Sequence, residues 1–405
     1  MITKDVLREI LKSQREEILK RTANIVEREK EKEIKLISGI ALIISGIRRC
    51  GKSTLQKELI KNKKVPYFNF EDTRLVGFEV KDFNRLLEVF KEEYKDPEEY
   101  FFDEIQNISG WEIFVRSLLD RKKKVLITGS NASLLSKELG TRLTGRHINL
   151  ELFPFSFKEF LDLEKKKAST KSFKEYLEEG GFPEYLILKK SELLQEVLLD
   201  VIVRDIASRY KIKNVKTLKE MAIFLITNIS KEFSYNNLRK ILNLGSTNSV
   251  IAFMSYFEEA YLLFAIPKFS YSLKKQLVNQ KKIYAIDNGI IKYNSKSFSP
   301  DKGKFLENLV FISLRKDFKE IFYFREKYEC DFVFRDKKRK MQAVQVCWKI
   351  SDENQDREVN GLVEAMDKFK LKQGLILTNE QEDEFEINKK KIIVKPVWKW
   401  MQEKK

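Results

Sequence analysis

One stretch constrains this chain more than any other: Gly46, Ile47, Arg48, Arg49, Cys50, Gly51, Lys52, Ser53 and Thr54 fit GxxxxGK[ST]. The pattern alone recurs by chance, but here the apolar run Leu36 to Ser45 precedes it and the helix-compatible TLQKELIK follows. That order is what phosphate binding needs. Glycines let the loop wrap so that backbone N–H groups face phosphate oxygens, and the helix amino end adds positive potential. In this reading Lys52 reaches the β and γ oxygens of ATP and Ser53 ligates Mg²⁺. A buried strand running into such a loop predicts an α/β domain with a parallel sheet.

Three more apolar segments repeat the strand signal: VPYFNF at 65–70, EYFFDE at 99–104 and KVLITGS at 124–130. Helical stretches separate them, so the domain is placed at 36–160. Asp103 ends its apolar run and suits the metal, while Glu104 suits a general base for the attacking water, which favours hydrolysis over storage of nucleotide. Ser130 and Asn131, at the tip of the next strand, are placed to bond that water or the γ-phosphate. Arg142 and Arg146 lie beyond and can reach the γ-phosphate in cis or in a neighbouring subunit, an arrangement that needs a homo-oligomer.

The remaining chemistry is narrow. With a single histidine, His147, chemistry built on a Ser/His/Asp triad or on several imidazole metal ligands has almost nothing to use. Cys50, Cys330 and Cys347 show no CxxC spacing, which argues against a disulfide framework and a thiolate zinc site. The charged segment MITKDVLREILKSQREEILKR lacks the apolar core of a signal peptide, and no apolar run nears about 20 residues. A cytoplasmic protein with no membrane contact is expected.

The 405 residues imply two or three cores, and 78 Lys and Arg against 61 Asp and Glu leave a net charge of +17. A polyanion is the expected partner. Residues 201–300 hold 16 basic against 6 acidic residues, an excess of +10. Residues 1–35 read as an amphipathic helix and 161–214 as a helical subdomain broken at GGFPEY. Within 215–300, three helices and a β-ribbon (LLFAIPKF, KKIYAID) read as a winged helix. Its DNA-binding candidates are Arg239 and Lys240 before the turn and Ser246, Thr247, Asn248 and Ser249 opening the next helix. Lys268, Lys274, Lys275, Lys281 and Lys282 are expected along the wing.

The residues resemble a known group, the AAA+ type P-loop ATPases of archaea and bacteria that carry a winged-helix region and a carboxy-terminal nuclease-like domain. GIRRCGKST, FFDEIQNISGW, ITGSNASLL, LTGRHINLELFPFSFKEF, GGFPEY, FLENLV, ECDFVF and QVCW carry the likeness along nearly the whole chain. It implies that Asp103 and Glu104 are the Walker B pair, Asn131 the sensor and Arg146 a charge near the nucleotide. In residues 301–405, Glu307, Asp331 and Gln345 follow the order of the PD-(D/E)xK nuclease fold, a restriction-endonuclease-like α/β architecture. Gln345-Val346-Cys347 replaces ExK, so a metal ligand and the lysine are missing, with Lys349 as a substitute by strand parity. A degenerate site is expected. ATP hydrolysis coupled to DNA binding is the expectation, with a slow nucleotide-gated switch and an ATP-dependent nuclease as alternatives.

Overall fold

The computed structural model describes residues 2–20, 25–129, 143, 145–297 and 301–403. The chain forms two compact units, Met1–Phe153 and Pro154–Lys405.

In the first unit, β1 (Ala41–Ser45), β2 (Tyr67–Asn69), β3 (Glu99–Asp103), β4 (Lys124–Gly129) and β5 (His147–Glu151) form one parallel sheet in the order β2-β3-β4-β1-β5. All five residues of β1 are buried, as a central strand covered on both faces requires. The β5 strand is absent from the sequence reading: only Leu150 in HINLE is fully buried, because an edge strand has no need of a continuous apolar run.

Helix α1 (Lys4–Leu19) starts at a Thr3 side-chain cap and buries Leu7, Ile10, Leu11 and Ile18. It is shorter than the helix expected over 1–35, since a 3₁₀ turn at Glu29–Glu33 takes the later part. Helix α2 (Lys52–Ile60) follows the loop, and α1, α3 (Asp82–Tyr94) and α4 (Trp111–Asp120) pack with the strands around a core rich in phenylalanine. Phe83 stacks on Phe114 at 4.4 Å, and Phe68, Phe90 and Phe102 close around them. Each fully buried ring contributes about 1.5–3 kcal/mol.

The second unit opens with α5 (Phe157–Glu164), α6 (Thr170–Glu179), α7 (Pro183–Leu188) and α8 (Glu192–Asp200), the last continuing as a π-helical stretch Val201–Ser208. Then come α9 (Val215–Thr227), β6 (Glu232–Phe233), α10 (Tyr235–Ile241), α11 (Thr247–Glu259), β7 (Leu263–Pro267), α12 (Leu273–Val278) and β8 (Lys281–Ala285). The strands pair antiparallel in the order β6-β8-β7. Next follow α13 (Asn288–Asn294) and α14 (Lys302–Arg315).

A mixed six-stranded sheet closes the unit. It comprises β9 (Ile321–Arg325), β10 (Glu329–Arg335), β11 (Met341–Val346), β12 (Gln373–Thr378), β13 (Asp383–Ile387) and β14 (Lys390–Pro396), ordered β13-β14-β12-β11-β10-β9. Helix α15 (Gln355–Phe369) packs on it and α16 (Val397–Glu403) follows. No helix among the described residues is long and apolar enough to cross a membrane.

GGFPEY marks a packing requirement. A Cβ on Gly180, whose φ is +74°, would lie 2.2 Å from an Asp287 carboxylate oxygen. Gly181 N–H donates to the same carboxylate at 2.6 Å. Between β7 and β8 the sequence reading expects an open, lysine-lined wing. The chain forms α12 there instead, and it leaves large apolar side chains in solvent.

Candidate nucleotide site and a buried carboxylate cluster

The loop leaves the carboxyl end of β1, where Ser45 lies beside Gly129 and Glu151. Gly46 has φ +156°, and a Cβ there would sit 2.1 Å from the Leu152 carbonyl oxygen, so only glycine fits. Gly51, at φ +98°, turns the chain into α2. Lys52 is 5% exposed, and its Nζ donates to the carbonyls of Gly46 and Ile47, both at 2.9 Å. The ammonium therefore sits within the loop that carries it. Arg48 stands 3.8 Å from Glu71.

Two residues behind the loop escape sequence reasoning. Arg28 is 6% exposed and donates to the Cys50 carbonyl at 2.8 Å and the Phe153 carbonyl at 2.6 Å, tying loop and sheet together. Within a run of charges nothing marks it, and only its burial reveals it. Gln56 donates to the Phe102 carbonyl at 3.2 Å and so fixes α2 to β3.

The parallel register sets Asp103 between Asn69 and Thr128. Its carboxylate, 1% exposed, accepts from the Thr128 hydroxyl and from the Tyr67 hydroxyl, the latter at 3.2 Å. Burial and the neighbouring Asp103 push the Tyr67 phenol well up, which keeps it a donor. Glu104 follows in the left-handed region at φ +50° and accepts from the Gln106 amide. Burial, with Asp103 and Glu71 adding to it against the pull of Lys52, pushes its carboxyl up to about 7. Such a group gains and loses a proton near neutrality, as a general base must.

The donors present fit Mg²⁺ with a nucleotide: one held carboxylate, Asp103, and one hydroxyl, Ser53, in the first turn of α2. Magnesium is ordinarily held by one or two protein groups and completed by phosphate and water. Among the described residues no three His, Cys, Asp or Glu side chains are grouped as an all-protein metal cage. Ser130, Asn131 and Arg142 lie outside the described residues.

Arg146 corrects the sequence reading. Because β5 runs parallel to β1, the Arg146 carbonyl accepts from Ala41 N–H, at the end of β1 opposite to the loop. Five residues at about 3.3 Å each separate the two ends. Its guanidinium pairs with Asp120 at 2.8 Å. The expectation of a cis contact fails because the strand that aims Arg146 was missed.

In the second unit, Glu307 on α14, Asp331 on β10 and Gln345 on β11 do come together. Asp331 N–H donates to Gln345 Oε1 at 3.1 Å, and Val346 N–H donates to Asp331 Oδ2 at 3.0 Å. The Gln345 amide donates to Glu358 at 2.5 Å. At the centre lies Lys282 of β8, which donates to Glu307 at 3.0 Å and Asp331 at 2.9 Å and stands 2.6 Å from Glu329. Three carboxylates thus match the three donors of one ammonium. Burial opposes the charge on Lys282, but Asp331 and Glu307 outweigh it and hold the ammonium protonated. Burial likewise raises Glu307, to which Tyr284 donates at 2.7 Å.

Lys282, 3% exposed, is therefore no wing contact. The sequence gives no sign of this, because its partners lie 25 to 49 residues away. Lys281 is diverted as well: its Nζ donates to the Gln276 carbonyl at 3.1 Å and stands 5.7 Å from the Tyr235 ring, and burial lowers its pKa. Lys349 lies past the end of β11 at Val346, so the strand-parity argument does not reach it. Lys240, Ser246, Asn248, Lys274 and Lys275 are exposed, and Arg239, Thr247 and Lys268 are half-buried. Ser246 also caps α11, accepting from Ser249 N–H at 3.2 Å.

With this geometry in hand, comparison with known proteins places the chain. A family described as an AAA domain matches residues 38–161, and two domains of unknown function, DUF8612 and DUF4143, match 170–301 and 302–400. An uncharacterized protein of Methanocaldococcus jannaschii, MJ1544, is 35% identical over 99% of this chain and 96% of its own length. An uncharacterized protein of Haemophilus influenzae is 28% identical over 88% of this chain and 93% of its own length. Among solved structures, a signal transduction ATPase with a tetratricopeptide repeat sensor from Pyrococcus horikoshii overlays at a TM-score of 0.30 and 16% identity, covering 73% of this chain and 46% of that one. A likeness that low carries no argument. An AAA-type P-loop sheet at one end, a mixed sheet at the other and identity along the whole length together make this chain a member of the same family as the Methanocaldococcus jannaschii protein.

Proposed function

We propose that the protein is a Mg²⁺-dependent ATPase whose turnover is coupled to DNA bound by the basic module of residues 215–300. The observation that carries the hydrolytic part is the pair at the end of β3: Asp103 buried and held by two hydroxyls, and Glu104 titrating near neutrality one residue on. In this reading the loop N–H groups and Lys52 take the phosphates, and Ser53 and Asp103 hold Mg²⁺. Glu104 accepts the proton of the attacking water, oriented by Gln106. The ion that Ser53 and Asp103 would hold would supply charge neutralisation to the phosphates.

The DNA part rests on the helix-strand-helix-helix-strand order with a cationic connection, read as a winged helix. The nuclease alternative loses support at Lys282, whose ammonium takes the carboxylate oxygens a metal would need. Steady-state ATP turnover with and without DNA tests the proposal. DNA-stimulated turnover that disappears in Glu104→Gln is expected; turnover indifferent to DNA overturns the coupling and leaves the nucleotide-gated switch.

A further inference from the structure

The connection between β7 and β8 is built as a rigid protrusion. At its root the Phe269 ring packs on Phe322 at 5.6 Å and Phe369 at 4.7 Å, and Phe269 N–H donates to the Tyr323 carbonyl at 2.7 Å. At the other root the Tyr323 hydroxyl donates to the Gln280 carbonyl at 2.9 Å. Between them Ser272 caps α12, and the Gln276 amide donates to the Ser270 carbonyl at 2.6 Å. Both ends of the segment are therefore fastened and its middle is internally bonded.

This braced helix buries none of its own side chains. Tyr271, Leu273, Leu277 and Val278 are 77%, 74%, 73% and 73% exposed. Leu273 and Leu277, four apart, share one helical face. Four large apolar side chains left in solvent within eight residues of chain, rimmed by polar ones, are the kind of exposed apolar surface that serves as a contact site. The charge along this segment has one sign: from Ala260 to Ile286 there is no Asp or Glu, while Lys268, Lys274 and Lys275 lie beside or among the apolar residues. Lys281, though tied to the Gln276 carbonyl, stands over the Tyr235 ring at the start of α10, whose last turn adds the exposed Lys240 and the half-buried Arg239. The occupant must therefore be anionic and must also offer apolar faces. Nucleic acid does both, since phosphates take the lysines and base faces take Tyr and Leu.

We infer that α12 is a base-stack wedge, and that the DNA this protein selects has a base step already open, at a bulge, fork or end. The inference rests on the DNA-binding reading above and adds the class of DNA to it. Opening a step in an intact duplex costs unstacking energy, and a pre-opened step removes that cost.

The test measures binding of the full chain to a duplex and to the same duplex with a two-nucleotide bulge. The variants are Leu273→Ser/Leu277→Ser and Lys274→Ala/Lys275→Ala. These positions are exposed, so folding is undisturbed, as circular dichroism will verify. At least tenfold preference for the bulge is expected. The leucine variant should lose that preference while its duplex affinity and salt dependence stay unchanged, and the lysine variant should weaken both DNAs equally. Equal binding of both DNAs by the wild type, or a preference that survives in the leucine variant, overturns the wedge while leaving DNA binding intact. No binding of either DNA overturns the DNA reading itself. Binding to phosphatidylserine vesicles, or self-association in sedimentation, that is lost in the leucine variant assigns the patch to a membrane or a second copy and also overturns the wedge.

Discussion

At Glu104, burial and a left-handed backbone put a carboxyl where its proton exchanges near pH 7. Its folded pKa lies above the ordinary 4.5, so the stability it lends is complete below about 4.5 and is lost as pH rises through 7. Activity should run the opposite way, with kcat/KM for ATP rising through an apparent pKa of about 7. In Glu104→Gln the residual rate should be flat over that range, and a rise that persists there would assign the titration elsewhere. Lys52→Ala should abolish ATP binding in a filter or fluorescence assay, because the phosphates lose their one ammonium inside the loop, whereas Glu104→Gln should bind normally. The loop and the carboxylate pair were legible in sequence because their chemistry is local: spacing along the chain is spacing in space. Arg28 and Lys282 were not, because each acquires its role from atoms contributed by distant segments.

The same distinction holds for elements. Strands covered on both faces, β1, β3 and β4, announce themselves as unbroken apolar runs, whereas the edge strand β5 does not, and the aim of Arg146 was lost with it. The segment between β7 and β8 was legible as a connection between two strands but not as a helix, since six residues with no buried side chain leave no periodic signature. The approach of β8 to α14 and β10 has an energetic consequence. Lys282→Ala would leave three buried or half-buried carboxylates without their counter-charge, and stripping one member from such a cluster costs about 3–5 kcal/mol. Thermal unfolding should fall by several degrees, whereas Arg325→Ala, at a half-exposed ion pair, should change little. Equal effects of the two would mean that Lys282 is no more than another surface charge.

For the molecule as a whole, two compact units with separate cores predict two separable unfolding events. A nucleotide bound at the loop stabilises only the unit that binds it, by about 2.7 kcal/mol at a hundredfold excess over Kd. Calorimetry with Mg²⁺ and ATP should therefore raise one transition and leave the other in place, and Lys52→Ala should erase the shift. Both transitions moving together would mean that the units unfold as one.

The tethered ammonium at Lys282 also changes what a chelator can report. Where two carboxylate centres both depend on soluble metal, EDTA disturbs them at once and the effects cannot be apportioned. Here the counter-ion of the carboxy-terminal cluster is covalently part of the chain and cannot be dialysed away. Among the described residues this cluster therefore offers a chelator nothing to remove, so an activity that EDTA abolishes and Mg²⁺ restores is not a readout of it.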